Sequence, residues 1–74
     1  MLELDYTNQG RRPSVRQIIS DWRKHGKPSE FEVTYGETYA HFVKTAYGHW
    51  FADGNGCRGV DRFGVEQVLN NGVN

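Results

Sequence analysis

The chain has 74 residues, which is enough for one small domain over residues 1–74 and too short for a second. Nine Lys and Arg balance nine Asp and Glu, and this zero net charge argues against a dedicated nucleic-acid binder, which usually carries a basic excess. One Cys excludes an internal disulfide. Because the sequence has no long apolar run, we expect no signal peptide and no membrane span. These features predict a cytoplasmic protein without a membrane partner.

The N-terminal segment, residues 1–12, carries a short alternating pattern. Leu2, Leu4 and Tyr6 alternate with two acidic residues, which is typical of a strand with one apolar face. The segment therefore predicts a short edge strand, and a flexible tail is the alternative.

The first strong element is a helix predicted from Ser14 to His25. Ser14 is a typical N-cap residue, and Gly26 followed by Pro28 ends the helix. Four apolar side chains lie on one stripe of this helix: Val15, Ile18, Ile19 and Trp22. We expect this stripe to face the core, with Trp22 packed on the sheet.

The next segment is predicted to form a β-hairpin. Gly36-Glu37 can supply a two-residue turn with Gly at its first central position. Folding about this turn places three pairs of residues opposite each other: Tyr35 and Thr38, Val33 and Ala40, and Phe31 and Phe42. These pairs share one face, which is the more apolar one and should pack on the helix.

A third strand over His49–Ala52, a loop at Asp53–Gly56 and a second helix over Asp61–Asn70 complete the predicted elements. Because side chains alternate along a strand, Trp50 and Phe51 cannot both face the core, so one large aromatic is expected at the surface. The predicted fold class is α+β, in the order α-β-β-β-α, with both helices on one face of a three-stranded antiparallel sheet and an optional N-terminal edge strand.

Gly54, Gly56 and Gly59 form the pattern G-x-G-x-x-G between the third strand and the second helix. A dinucleotide-binding turn has this spacing, but it also needs a parallel βαβ unit and an acidic residue about 20 positions later, and the chain ends too soon. We interpret the segment as a connection whose glycines need positive φ. The alternative is an anion-binding nest that includes Arg58.

Residues with metal-binding or nucleophilic chemistry are few. The three His and the single Cys lack the spacing that places two ligands on one metal ion. Cys57, with His49 as base and Asp53 as orienting group, is the one candidate nucleophile, and nothing in the sequence fixes that geometry. We therefore expect no metal, no cofactor and no enzyme activity, and interpret Cys57 as a bystander thiol.

Charge is unevenly distributed along the chain. Residues 11–27 carry six bases and one acid, whereas residues 28–40 carry three acids and no base. Arginine suits the recognition of phosphate or carboxylate, and exposed aromatics are common at interfaces. The predicted surface for a protein or nucleic-acid partner consists of Arg12, Arg16, Arg23, Lys27, Tyr47, Trp50, Arg58 and Arg62.

The order helix, three strands, helix over most of residues 13–71 resembles the double-stranded-RNA-binding domain. Three segments are similar: Lys24-His25-Gly26-Lys27-Pro28, Phe31-Glu32-Val33 and Gly54-Asn55-Gly56. The resemblance implies the α-β-β-β-α fold. In that family a lysine cluster at the start of the last helix contacts RNA phosphates, and a long loop joins the first two strands. Here the corresponding residues 58–62 hold two bases and one acid, and the loop is a tight turn, so both contacts are reduced.

From these features we predict a small non-enzymatic binding protein that docks on a larger host protein. Neutral charge and small size are typical of accessory factors or inhibitors, including those of phages and mobile elements. The alternative is a nucleic-acid-binding module, for double-stranded RNA or DNA, that uses the basic first helix. A homodimer is compatible with either interpretation.

Overall fold

The computed structural model describes residues 1–55 and 59–72. Its strands and helices, in chain order, are β1 (Leu2–Asp5), α1 (Val15–Lys24), β2 (Glu30–Tyr35), β3 (Thr38–Lys44), β4 (Trp50–Gly54) and α2 (Arg62–Asn70). A short 3-10 turn at Thr7–Gln9 follows β1. From α1 to α2 the order is the predicted α-β-β-β-α, and β1 is added before it.

The four strands form one mixed sheet in the order β1-β2-β3-β4. The hairpin register is confirmed, because Phe31 lies opposite Phe42, and Val33 lies opposite Ala40. The three predicted antiparallel strands, β2, β3 and β4, are present. The N-terminal edge strand is present, and it pairs parallel to β2, with Leu4 opposite Val33. β1 can pair in parallel with β2 because α1 lies between them in the chain and provides the long crossover connection that parallel pairing requires.

Strand β4 is longer than predicted and begins one residue later. The sequence predicted a strand over His49–Ala52 followed by a loop, whereas the structure has Trp50–Gly54. Asp53 lies opposite His41, and Gly54 lies opposite Ala40. Pairing with β3 therefore extends the strand past the apolar residues from which it was predicted.

Both helices begin and end close to the predicted residues. The Ser14 hydroxyl accepts a hydrogen bond from the backbone N–H of Gln17 at 3.0 Å, and Gly26 has a φ of 88°. Asp61 caps α2 by accepting from the backbone N–H of Gly64 at 2.9 Å. These contacts satisfy backbone donors that a helix start leaves without partners.

One hydrophobic core lies between the helices and one face of the sheet. Its buried members are Leu4, Tyr6, Ile18, Ile19, Trp22, Phe31, Val33, Ala40, Phe42, Trp50, Val60, Val65 and Leu69. Trp22 is central, with its ring centroid 6.0 Å from that of Phe31 and 5.8 Å from that of Trp50. The predicted packing of Trp22 on the sheet is therefore confirmed.

A buried tyrosine ties the end of β1 to the first helix. The Tyr6 hydroxyl donates to the Asp21 carboxylate at 2.7 Å. Burial raises the pKa of Tyr6 well above its ordinary value, and the hydrogen bond and negative charge of Asp21 raise it further. The contact fixes β1 against α1, so the N-terminal segment belongs to the folded structure.

Candidate binding surfaces

The face of the sheet opposite the core is the first candidate surface, and we call it the open sheet face. Strand alternation directs its side chains away from the helices. All of them are exposed or half-buried: Glu3, Asp5, Glu30, Glu32, Thr34, Tyr39, His41, Val43, Phe51 and Asp53. Neither α1 nor α2 covers this face, because their buried side chains join the core on the other side.

The open sheet face is acidic. It holds five carboxylates and no Lys or Arg. One row crosses all four strands, since Glu3 lies opposite Glu32, Glu32 opposite His41, and His41 opposite Asp53. His41 Nε2 lies 2.7 Å from a carboxylate oxygen of Glu30, and His41 Nδ1 lies 3.8 Å from one of Asp53. A ligand on this face therefore meets a negative surface with a single imidazole in its middle.

An apolar cluster lies within this acidic surface. Phe51 is 52 % exposed, and it lies opposite the exposed Val43 on β3. Tyr39 is also exposed, farther along β3. The Phe51 ring makes an edge contact with His49, with centroids 4.8 Å apart. The expectation that one aromatic of the Trp50–Phe51 pair is exposed is confirmed, and that residue is Phe51.

Trp50 is therefore corrected as a partner-binding residue. Only 4 % of it is exposed, and its ring makes edge contacts with Trp22 and Phe31 at centroid distances of 5.8 Å. Its side chain faces the core because the β3–β4 register places it on the helix side of the sheet. Tyr47, the other aromatic of the predicted surface, is 98 % exposed in the turn between β3 and β4.

The basic residues of the first helix lie on exposed positions, but they do not form one site. Arg12 and Arg16 border a shallow depression at the start of α1, together with Arg11. Arg16 also borders a groove between the two helices, where Arg23 joins it. Lys27 lines a different cleft, between the end of α1 and the β3–β4 turn. The structure thus brings Arg12 and Arg16 together and separates Lys27 from them.

Of the two bases predicted to bind a partner near the second helix, the structure describes Arg62 and not Arg58. The Arg62 guanidinium lies over the exposed Phe63 ring, with its central carbon 4.7 Å from the ring centroid. Its Nε is buried and has no hydrogen-bond partner among residues 1–55 and 59–72. Arg58 and Cys57 lie outside the described residues, as does Gly56 of the glycine pattern.

The other two glycines of the G-x-G-x-x-G pattern are required for space. Gly54 does not have positive φ, so the expected conformational role was wrong at that position. A Cβ on Gly54 would collide with the backbone of Tyr39 and Ala40, and one on Gly59 would lie 2.8 Å from the Tyr35 ring. Without a Cβ, the chain can pass close to β3 at Gly54 and close to the side chains of Tyr35 and Thr38 at Gly59.

In the part of the chain that the structure describes, no group of three or more His, Cys, Asp or Glu side chains is placed to hold a metal ion. Neither helix found there is long and apolar enough to span a membrane.

Comparison with family models, curated proteins and solved structures finds no match to this chain. The open sheet face and the basic side of α1 are therefore the candidate binding surfaces.

Proposed function

We propose that this chain is a non-enzymatic binding protein that docks on a larger protein through the open sheet face. The observation that carries the proposal is the exposed pair of Val43 and Phe51, with the exposed Tyr39 farther along β3, within a surface of carboxylates. Apolar patches rimmed by polar residues are typical of protein–protein interaction sites. Aromatic side chains are also enriched at the centres of interfaces.

The charge of the open sheet face favours protein over nucleic acid as its ligand. Its five carboxylates would repel a phosphate backbone, whereas a protein can present Lys or Arg to them. A small chain that binds without catalysing a reaction fits the role of an accessory factor or inhibitor, and a phage or mobile-element origin fits its small size. Its target in this proposal is a larger host protein.

Replacing Phe51 by Ala should reduce affinity for the partner at least about tenfold, which corresponds to about 1.4 kcal/mol, because a central aromatic anchor would be lost. The fold should survive, because the ring is half exposed and lies outside the core. The partner is first captured from host lysate treated with nuclease and identified, and its affinity for the purified variants is then measured by calorimetry.

Phe63→Ala is the matched control, because Phe63 has a similar exposure but lies on α2, away from the open sheet face. Tyr47→Ala tests the predicted anchor in the β3–β4 turn. Wild-type affinity in Phe51→Ala, with a normal melting temperature, would contradict docking through this face.

The second candidate function is binding to double-stranded RNA or DNA through the basic side of α1. The observation that favours it is the shared depression bordered by Arg11, Arg12 and Arg16. We expect only weak duplex binding, with a dissociation constant of about 10⁻⁴–10⁻⁶ M at physiological salt, because few bases converge there. Fluorescence anisotropy with both duplexes at two salt concentrations measures this.

Submicromolar affinity with a steep salt dependence, lost in the double variant Arg16→Glu and Arg23→Glu, would contradict that expectation. That result would make α1 the functional surface and the nucleic acid the partner. The double variant leaves the core unchanged, because both side chains are exposed.

A further inference from the structure

The two edges of the sheet differ in how their backbone groups are satisfied. At β4, the Asn70 side chain accepts from the Trp50 N–H at 2.7 Å and donates to the Trp50 C=O at 3.0 Å. The Glu66 carboxylate accepts from the Ala52 N–H at 3.2 Å. Side chains of α2 therefore occupy the positions that an added strand would need, and this edge is closed.

The edge at β1 has no such cover in the described part of the chain. The Tyr6 N–H donates to the Thr34 C=O at 2.8 Å, and β1 is the terminal strand of the sheet. In a parallel ladder, alternate residues bond to the same neighbour. Leu4 and Tyr6 therefore bond towards β2, and the N–H and C=O groups of Glu3 and Asp5 are directed outwards. A row of outward backbone groups is a template for strand addition.

We propose that the outer edge of β1 binds an extended segment of the partner, which pairs with it as a fifth strand. This proposal rests on the proposed function, because the segment belongs to the protein that contacts the open sheet face. Strand addition provides affinity through main-chain hydrogen bonds, and the side chains beside them provide specificity.

The side chains of β1 specify the chemistry of that segment. Glu3 and Asp5 are exposed and direct their carboxylates to the open sheet face. Hydrogen bonding from Thr7 lowers the pKa of Asp5. Leu2 and Leu4, on the other side of the strand, are half-buried and buried against the core. A complementary strand therefore places Lys or Arg opposite the carboxylates and an apolar residue between them.

A second copy of this chain is disfavoured as the added strand. Antiparallel pairing of β1 with its own copy brings the carboxylates of Glu3 and Asp5 against the same carboxylates. Like charges directly opposite each other destabilise a strand pair, whereas opposite charges stabilise it. Charge complementarity therefore selects a basic, alternating segment of a different protein.

The test uses the full chain labelled with ¹⁵N and short synthetic peptides as probes. One peptide alternates Lys and Val, the second alternates Glu and Val, and the third is the Lys–Val peptide with a methylated backbone. We expect the Lys–Val peptide alone to slow hydrogen exchange of the Glu3 and Asp5 amides. The Leu4 amide is the internal control, because it is directed towards β2 and is already protected. Methylation keeps the charge, removes the donors that would bond to the outward C=O groups of β1 and places methyl groups against this edge, so the third peptide should bind too weakly to protect either amide.

A charge reversal tests the selectivity. Glu3→Lys should weaken binding of the Lys–Val peptide by about two- to fivefold, the range of a single cross-strand charge pair, and should strengthen binding of the Glu–Val peptide. Asp53→Lys is the matched control, since it makes the same charge change on the same face at the opposite edge. It should alter the ratio of the two affinities less than Glu3→Lys does.

Several outcomes would overturn the proposal. Unchanged exchange at Glu3 and Asp5 with every peptide excludes strand addition, and so does equal protection by the methylated peptide. Equal protection by the Lys–Val and Glu–Val peptides excludes the basic partner segment. Slow exchange in the free protein together with a dimeric mass would identify a second copy as the occupant. The proposed function fails separately, when Phe51→Ala leaves partner affinity unchanged.

Discussion

Replacing Trp22 by Ala should leave the protein largely unfolded at physiological temperature. Trp22 is 4 % exposed, its ring contacts Phe31 and Trp50, and its indole N–H donates to the Pro28 C=O at 2.9 Å. Truncation of a buried Trp costs about 3–5 kcal/mol. A core in a chain of this size rarely supplies more than about 3–5 kcal/mol in total. One substitution therefore removes most of the free energy of unfolding.

Thermal melting followed by circular dichroism measures this effect. Tyr47→Ala is the control, because Tyr47 is 98 % exposed and its loss should leave the melting temperature close to that of the wild type. Trp22→Phe retains a ring but loses the bond to Pro28, and should fall between the two. A cooperative melt of Trp22→Ala near the wild-type temperature would show that the Trp22 side chain is not part of the core.

Local signals in the sequence predict the helices and the hairpin well. Ser14 and Gly26 mark the ends of α1, and the Gly36-Glu37 turn sets the register of β2 and β3. The pairing direction of β1 has no local signal, because alternation of Leu and acidic residues is the same in parallel and antiparallel strands. That direction depends on where α1 returns the chain, which is a property of the assembled fold.

The candidate site is only partly predictable from the sequence, because it also depends on the assembled fold. Alternation shows that either Trp50 or Phe51 is exposed, but the choice depends on the β3–β4 register. The acidic surface joins Glu3, Glu32 and Asp53 from three separate segments, so a count of charge along the chain does not reveal it. The hydrogen bonds by which Asn70 covers the β4 edge could not be predicted from the sequence either, because a polar residue at a helix end is usually solvated.

The second large effect is expected at Gly54, where β4 passes close to the backbone of β3. A side chain there would collide with the Tyr39 carbonyl oxygen and would place its Cβ 3.0 Å from the Ala40 Cα. Neither group can move away without disturbing the ladder that pairs Ala40 with Gly54. Added atoms in a packed region cost about 1–3 kcal/mol and occasionally more.

Gly54→Ala should therefore lower the free energy of unfolding by about 1–3 kcal/mol, and Gly54→Val should leave little folded protein, because its branched Cβ meets the same backbone. Urea unfolding followed by tryptophan fluorescence measures both. Asp53→Val is the matched control, since it introduces the same side chain on the same strand at a position whose side chain is 79 % exposed. We expect it to change stability by about 0.5 kcal/mol or less. A wild-type unfolding midpoint for Gly54→Ala would contradict the observed register and would place the end of β4 at Ala52, where the apolar pattern of the sequence ends.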